Sequence, residues 1–254
     1  MNRYKLTIEY DGKDFSGWQK QKGMRTIQGV IEESLFKFSG QNITVYGAGR
    51  TDTGVHAAGQ VAHLDINIDG LEDKNLKLGK LTMGLNFYLS RLCDNKVTIL
   101  ETKKVNEEFH ARFSAIGRKY KYSILNRRTA SPLLKERTWR VPNTLNIELM
   151  KNASKNLIGK HDFTAFRSID CQSKSPIKTI DNITIDKNGE IIELYVEAKS
   201  FLMNQVRIIA GTLVDIGLQK KSNEDILLAL KKKDKKFSGP TAPSLALILQ
   251  KVKY

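Results

Sequence analysis

The feature that most constrains the fold of this chain is an order of elements that occurs twice. Leu6, Ile8 and Tyr10 alternate, so residues 3–10 read as a strand. Thr26 is placed to N-cap a helix in which Ile27, Val30, Ile31, Leu35 and Phe38 recur at helical spacing, and Gly40 falls just past its end. Residues 43–46 and 59–66 read as strands, Leu78, Leu81, Leu85 and Leu89 mark a second helix, and residues 97–102 close the half. The order is β-α-β-β-α-β, the ferredoxin-like pattern. A second round follows. Residues 118–125 alternate Tyr120, Tyr122 and Ile124, and Ile147, Met150, Ala153 and Leu157 give a helix. Residues 180–186 and 190–198 flank Asn188-Gly189, a hairpin signal. Residues 201–217 read as a helix with Val206, Ile209, Leu213 and Val214 inward, and residues 245–252 as a last strand. A short strand near Trp139 and a small helix over 226–230 are additions. The expectation is an α+β fold of two ferredoxin-like halves, 1–105 and 106–254. A sheet with helices on one face leaves its other face free, and RNA-binding modules of this topology use that face.

Charge points to a partner. The 42 Lys and Arg against 27 Asp and Glu give a net charge of +15. Residues 1–105 carry only +3 of it and residues 106–254 carry +12. A basic half this marked fits a polyanion such as nucleic acid. It fits equally a lysine-rich protein that merely stays dissolved. The length of 254 residues, 40% of them hydrophobic, suffices for a sizeable core. No uninterrupted apolar stretch is long enough to span a bilayer. The start leads into an alternating strand and not into a signal-peptide apolar region. Cys93 and Cys171 make no disulfide framework and are expected to be reduced thiols of a cytoplasmic protein.

Several chemistries lack their residues. Gly47-Ala48-Gly49 follows a strand, but Asp52 stands where a dinucleotide fingerprint needs its third glycine. His56, His63, His110 and His161 have no metal-ligand spacing among themselves or with the cysteines, so no metal is expected. No Gly-x-Ser-x-Gly elbow occurs. What remains is Gly49-Arg50-Thr51-Asp52-Thr53-Gly54-Val55-His56-Ala57. It sets one carboxylate in a glycine-flanked turn two residues after an arginine. An ionised acid there serves as a nucleophile or base, although Asp and Gly also dominate turns for purely local reasons. Arg207 lies within an apolar helical pattern, where a fixed cation needs an anion, and Asp52 is the candidate. Lys231–Lys236 is the strongest charge run and reads first as a solvated helix end.

Together these residues resemble the tRNA pseudouridine synthase A family. Besides residues 49–57, the resemblance runs through Gly17-Trp18-Gln19-Lys20-Gln21, residues 109–115, 118–122, 161–167 and 171–176, Phe201-Leu202, Val206-Arg207 and residues 239–243. It implies two ferredoxin-like halves forming one extended antiparallel sheet with a central RNA-binding cleft. It implies isomerisation of uridine to pseudouridine in the tRNA anticodon stem-loop, at positions 38 to 40, without cofactor or metal. By the same resemblance Asp52 is the nucleophile, Arg50 fills the space of the flipped base, Tyr120 stacks on the uracil, and Arg207 holds Asp52 ionised. Tyr120 and Leu247 line the substrate pocket. Phe109, His110, Ala111, Arg112, Phe113, Arg167, Asp170, Cys171, Gln172, Ser173 and Lys174 fall in RNA-contact stretches. The implied partners are tRNA and a second copy in a homodimer, with no membrane. Two places depart from the family pattern: Ala246 stands where glycine is common, and Met203-Asn204-Gln205 replaces a histidine-containing stretch. A noncatalytic RNA binder on the same scaffold, or a synthase acting on another RNA, is the alternative.

Overall fold

Alternation along the first strand organises the first sheet. Strand β1 (Asn2–Tyr10) buries Tyr4, Leu6, Ile8 and Tyr10 and turns the residues between them outward. It lies between β3 (His56–Ile66) and β4 (Val97–Val105) and runs antiparallel to both. Leu6 stands opposite Ala62 on one side and Thr102 on the other. The short β2 (Tyr46–Gly47) pairs with β3, Tyr46 opposite His63. Helices α1 (Ile27–Ser39) and α2 (Leu78–Cys93) pack together and bury Ile27, Ile31 and Leu35 of the first and Leu81, Leu85 and Leu89 of the second. Thr26 caps α1, its Oγ1 accepting from Gly29 N at 3.2 Å. The computed structural model describes residues 1–67 and 78–254, and the chain divides into two units. These elements form unit 1, Met1–Ile116, which also takes in Leu249–Tyr254 at the end of the last strand.

Unit 2 is Gly117–Ile248. Its strands lie in the order β5 (Gly117–Asn126), β9 (Ile191–Ala198), β8 (Ile177–Asn188) and β7 (Gly159–Asp162), each antiparallel to its neighbour. β6 (Trp139–Val141) runs parallel to β5. Helix α3 (Ile147–Ser154) packs on α4 (Gln205–Gly217), and α5 (Asn223–Lys232) follows. The last strand, β10 (Leu247–Lys253), begins in unit 2 and ends in unit 1. The fold is α+β: β1-α1-β2-β3-α2-β4 follows the ferredoxin-like order, and β5-α3-β8-β9-α4-β10 repeats it with β6, β7 and α5 added.

Strand β7 is not read from the sequence, and three other segments depart from the sequence expectation for physical reasons. Residues 43–45 are not strand. Val45 N donates to Glu32 Oε1 at 3.1 Å and Val45 O accepts from Gln28 Nε2 at 3.2 Å, so side chains of α1 satisfy the backbone that a ladder would have used. Residues 201–204 are not helix. Asn204 sits at φ 62, in the left-handed region, which breaks the helical run and starts α4 at Gln205. Helix α5 is longer than the 226–230 pattern because Ser222 and Asp225 form a capping box at its start.

Candidate active site and RNA-contact residues

In unit 1, residues 48–55 connect β2 to β3. Val55 N donates to Asp52 O at 3.1 Å, so Asp52 opens a tight turn whose third residue, Gly54, has φ +79. The loop preceding α1 lies against this turn. Trp18 N donates to Thr51 O at 3.1 Å. Gly17 has φ +84, and a Cβ on it would stand 2.7 Å from Thr51 O; a Cβ on Gly12 would stand 2.0 Å from Val55 O. Only glycine fits at either place. Beneath the turn, the Tyr10 hydroxyl and Thr51 Oγ1 share a buried hydrogen bond of 2.7 Å. Burial pushes the Tyr10 phenol well above its ordinary range, with the Thr51 bond opposing, so Tyr10 keeps its proton. Gln60 is buried and donates from Nε2 to Gly49 O at 2.9 Å. His56 Nδ1 accepts from Gly12 N at 3.1 Å and lies 3.0 Å from Asp11 Oδ1. Asp52 itself is half-buried. Arg50 is exposed and donates from Nε to Gln19 Oε1 at 3.1 Å. The network through Tyr10, Thr51 and Gln60 has no signature in the sequence, where Tyr10 reads only as one of an alternating row.

Tyr120 and Arg207 belong to unit 2. Tyr120 is half-buried on β5, and Phe201 meets its ring edge-on at 5.3 Å and 87°. Arg207, on the first turn of α4, donates from Nε to Ala242 O at 2.7 Å and from Nη1 to Asn204 Oδ1 at 2.8 Å. Ala242 N returns a bond to Arg207 O at 3.2 Å. Asn204 thus holds the guanidinium directly. The 239–242 loop reaches α4 because Gly211 is bare: a Cβ there would stand 1.9 Å from Pro240 O. Leu247 is buried at the start of β10. Tyr122, two residues beyond Tyr120 on β5, is wholly buried, and its hydroxyl donates to Pro243 O at 2.9 Å.

Residues 109–113 form a loop of unit 1 built on two imidazoles. His63 Nδ1 accepts Ala111 N at 3.2 Å, and His110 Nδ1 accepts Arg112 N at 3.1 Å and Phe113 N at 3.3 Å. An accepting Nδ1 carries no proton. Burial, with the Arg3 and His110 charges, lowers His63 to about 4, and burial lowers His110 as well. Ala111 is fully buried, with its carbonyl accepting from the Tyr254 hydroxyl at 2.7 Å, so it anchors the loop. Phe113 is 73% exposed, 4.3 Å from the His110 ring and 5.5 Å from the Arg112 guanidinium. Phe109 packs at 5.0 Å on Tyr254, and its carbonyl accepts from Arg3 Nη1 at 3.0 Å. Tyr46, stacked on His63 at 5.1 Å, completes an aromatic cluster whose members are scattered along the sequence. In unit 2, Arg167, Cys171 and Ser173 are half-buried, while Asp170, Gln172 and Lys174 are exposed. Ser168 N donates to Met203 O at 3.0 Å, which ties this stretch to the turn that carries Asn204. Among the described residues no group of three His, Cys, Asp or Glu is placed to hold a metal, and no helix is long and apolar enough to cross a membrane.

The family model for tRNA pseudouridine synthases matches residues 6–114 and 153–254. The chain belongs to the tRNA pseudouridine synthase family and is an isomerase of tRNA uridines. Its relatives narrow the class to tRNA pseudouridine synthase A. That of Bartonella henselae is 46% identical over the full length of both chains. That of Sinorhizobium fredii is 45% identical over the same span, and that of Brucella ovis is 42% identical over all of this chain and 98% of its own. A solved structure, that of the archaeal box H/ACA sRNP Nop10-Cbf5 complex, matches with a TM-score of 0.36 and 9% identity, covering 96% of this chain and 58% of that one.

Proposed function

We propose that this protein converts uridine to pseudouridine in the anticodon stem-loop of tRNA, at positions 38 to 40, with Asp52 as nucleophile. The observation that carries the reading is the turn itself. Asp52 opens a turn closed by Val55 N, and Gly12 and Gly17 press on it so closely that no side chain fits between. An acid displayed on backbone that cannot shift keeps its carboxylate where an attack requires it.

The reaction is an isomerisation. The bond from the sugar C1′ to N1 breaks, the uracil turns, C1′ joins C5, C5 gives up its proton, and N1 gains one. Nothing is oxidised, reduced or hydrolysed overall, so the chemistry calls for no cofactor. Reaching the uridine means unstacking it, at a cost of a few kcal/mol. Arg50, exposed beside the turn, fills the space that the base leaves. Tyr120, its ring braced by Phe201, stacks on the flipped uracil and assists proton movement at C5, and Leu247 adds an apolar wall. Arg207, oriented by Ala242 and Asn204, serves as counter-ion to the acid. Arg112, Arg167 and Lys174 contact phosphates, and the remaining exposed residues of 109–113 and 170–174 lie along the RNA. The resemblance adds a homodimer and a cytoplasmic location.

The test is to incubate the protein with unmodified tRNA and map pseudouridine base by base. Product at positions 38 to 40 is expected. An Asp52→Asn variant is expected to bind tRNA and form none; activity of that variant equal to the parent's would remove Asp52 from the role.

A further inference from the structure

We infer that unit 2 carries a second RNA-backbone surface, in which Lys232 and Lys236 at the Phe237 ring, and Lys221 bound to the Lys236 carbonyl, take phosphates of the tRNA. The inference rests on the tRNA reading above. By itself the lysine run is no more than a solvated helix end, since Lys231 and Lys232 fall in the last turn of α5, where the helix dipole favours cations. The tertiary arrangement goes further. Lys221, ahead of α5, donates from Nζ to Lys236 O at 3.0 Å. The ammonium groups of Lys232 and Lys236 stand 5.4 Å and 5.0 Å from the centre of the same Phe237 ring. Cations from the segment before the helix, from its last turn and from the turn Lys235–Phe237 therefore converge. The one acid within 231–236, Asp234, already accepts Lys236 N at 3.0 Å and lies 3.2 Å from Lys236 Nζ. Like charges gathered in this way repel one another, and a polyanion relieves the repulsion. The ammonium is a point-charge phosphate binder.

The surface is also tied to residues that the resemblance gives to RNA. Lys233 Nζ pairs with Asp162 at 2.9 Å, and Asp162 Oδ1 accepts Thr164 N and Oγ1 at 3.0 Å and 2.6 Å, which fixes the start of the stretch that ends at Arg167. Just beyond Phe237, Gly239 N donates to Thr212 Oγ1 at 2.7 Å and leads into the loop whose Ala242 holds Arg207. A phosphate bound by the lysines is thus held on the same framework as those residues.

The experiment measures tRNA affinity at a series of salt concentrations for the parent protein and for the triple variant Lys221→Gln, Lys232→Gln, Lys236→Gln. Each lost phosphate contact makes the slope of log affinity against log salt shallower by about one, so a change of about three is expected. A loss of about tenfold or more in affinity at moderate salt accompanies it, with a matching rise in KM. The corresponding triple Arg variant is expected to bind within about twofold of the parent, since the charges remain. The single Lys232→Gln change, at an exposed position, gives a slope change of about one and stands in if the triple variant folds poorly. A Gln triple with the parent's slope and affinity overturns the inference. So does an equal loss from a control triple in unit 1, Lys22→Gln, Lys37→Gln, Lys104→Gln, because the effect would then be one of net charge. Pseudouridine formed by the parent protein is read in the same samples. Its absence alongside a changed slope counts against the catalytic reading and not against the surface.

Discussion

At the residue scale, the site depends on atoms that are absent. Gly17 and Gly12 let two backbone segments touch, and Gly54 lets the turn of Asp52 close. A Gly17→Ala change combines a left-handed φ of +84 with a Cβ 2.7 Å from Thr51 O, and is expected to cost about 2 kcal/mol or more in a denaturant titration. Since the clash falls on the backbone next to Asp52, kcat should fall by more than stability alone explains, and an unchanged kcat in the folded variant would argue against a positioning role. Tyr10→Phe removes the bond to a buried Thr51 hydroxyl and is expected to cost about 1–3 kcal/mol. Asp52 and Arg50 were legible as a candidate from glycine spacing alone. Tyr10, Thr51 and Gln60 were not, because a tyrosine on an alternating strand gives no hint of which hydroxyl it will meet.

At the element scale, the loop 109–113 hangs on two neutral imidazoles, and this makes it sensitive to acid. His63 is held at about 4 in the folded protein, chiefly by burial, with the His110 and Arg3 charges adding to it and Asp65 and the Tyr46 backbone opposing. In the unfolded chain it titrates near about 6.5. A lowered histidine pKa means that the unfolded state takes the proton first. The stability it supports is complete above pH about 6.5 and declines as pH falls toward 4. Unfolding midpoints measured between those values should follow this decline, and a His63→Asn variant, whose Oδ1 can replace the accepting Nδ1, should follow it less steeply. A variant with the parent's full pH dependence would clear His63 of the effect. The elements themselves were largely readable. Alternation and helical spacing find β1, α1, β5 and α3 because burial of one face imposes those periods. Residues 43–45 and 201–204 misread because the bonds that Val45 receives from Gln28 and donates to Glu32, and the left-handed Asn204, are decided by neighbours and not by local pattern.

At the scale of the whole molecule, the last strand is shared: β10 starts in unit 2 and Leu249–Tyr254 completes unit 1. Leu249 and Val252 are buried, Ile116 N donates to Lys253 O at 2.9 Å, and the Tyr254 hydroxyl holds Ala111. The two tryptophans report the units separately, Trp18 in unit 1 and Trp139 in unit 2. Deleting residues 249–254 is expected to lower the unfolding midpoint seen by Trp18 more than that seen by Trp139, measured by fluorescence in variants that keep one tryptophan each. Two equal shifts would mean that the strand does not support unit 1 in particular.

The amino-acid sequence by itself determined the doubled β-α-β-β-α-β order, the excess of positive charge in the second half and the presence of one acid in a glycine-rich turn. Each of these is written in local periodicity or composition, which burial and turn chemistry translate directly into structure. The tertiary structure alone decided what lies against that turn, that Asn204 and Ala242 hold Arg207, and that Lys232 and Lys236 meet at one ring with Lys221 bound to the Lys236 carbonyl. Those contacts join residues distant along the chain, and a sequence pattern records which side chains face inward but not which of them will touch.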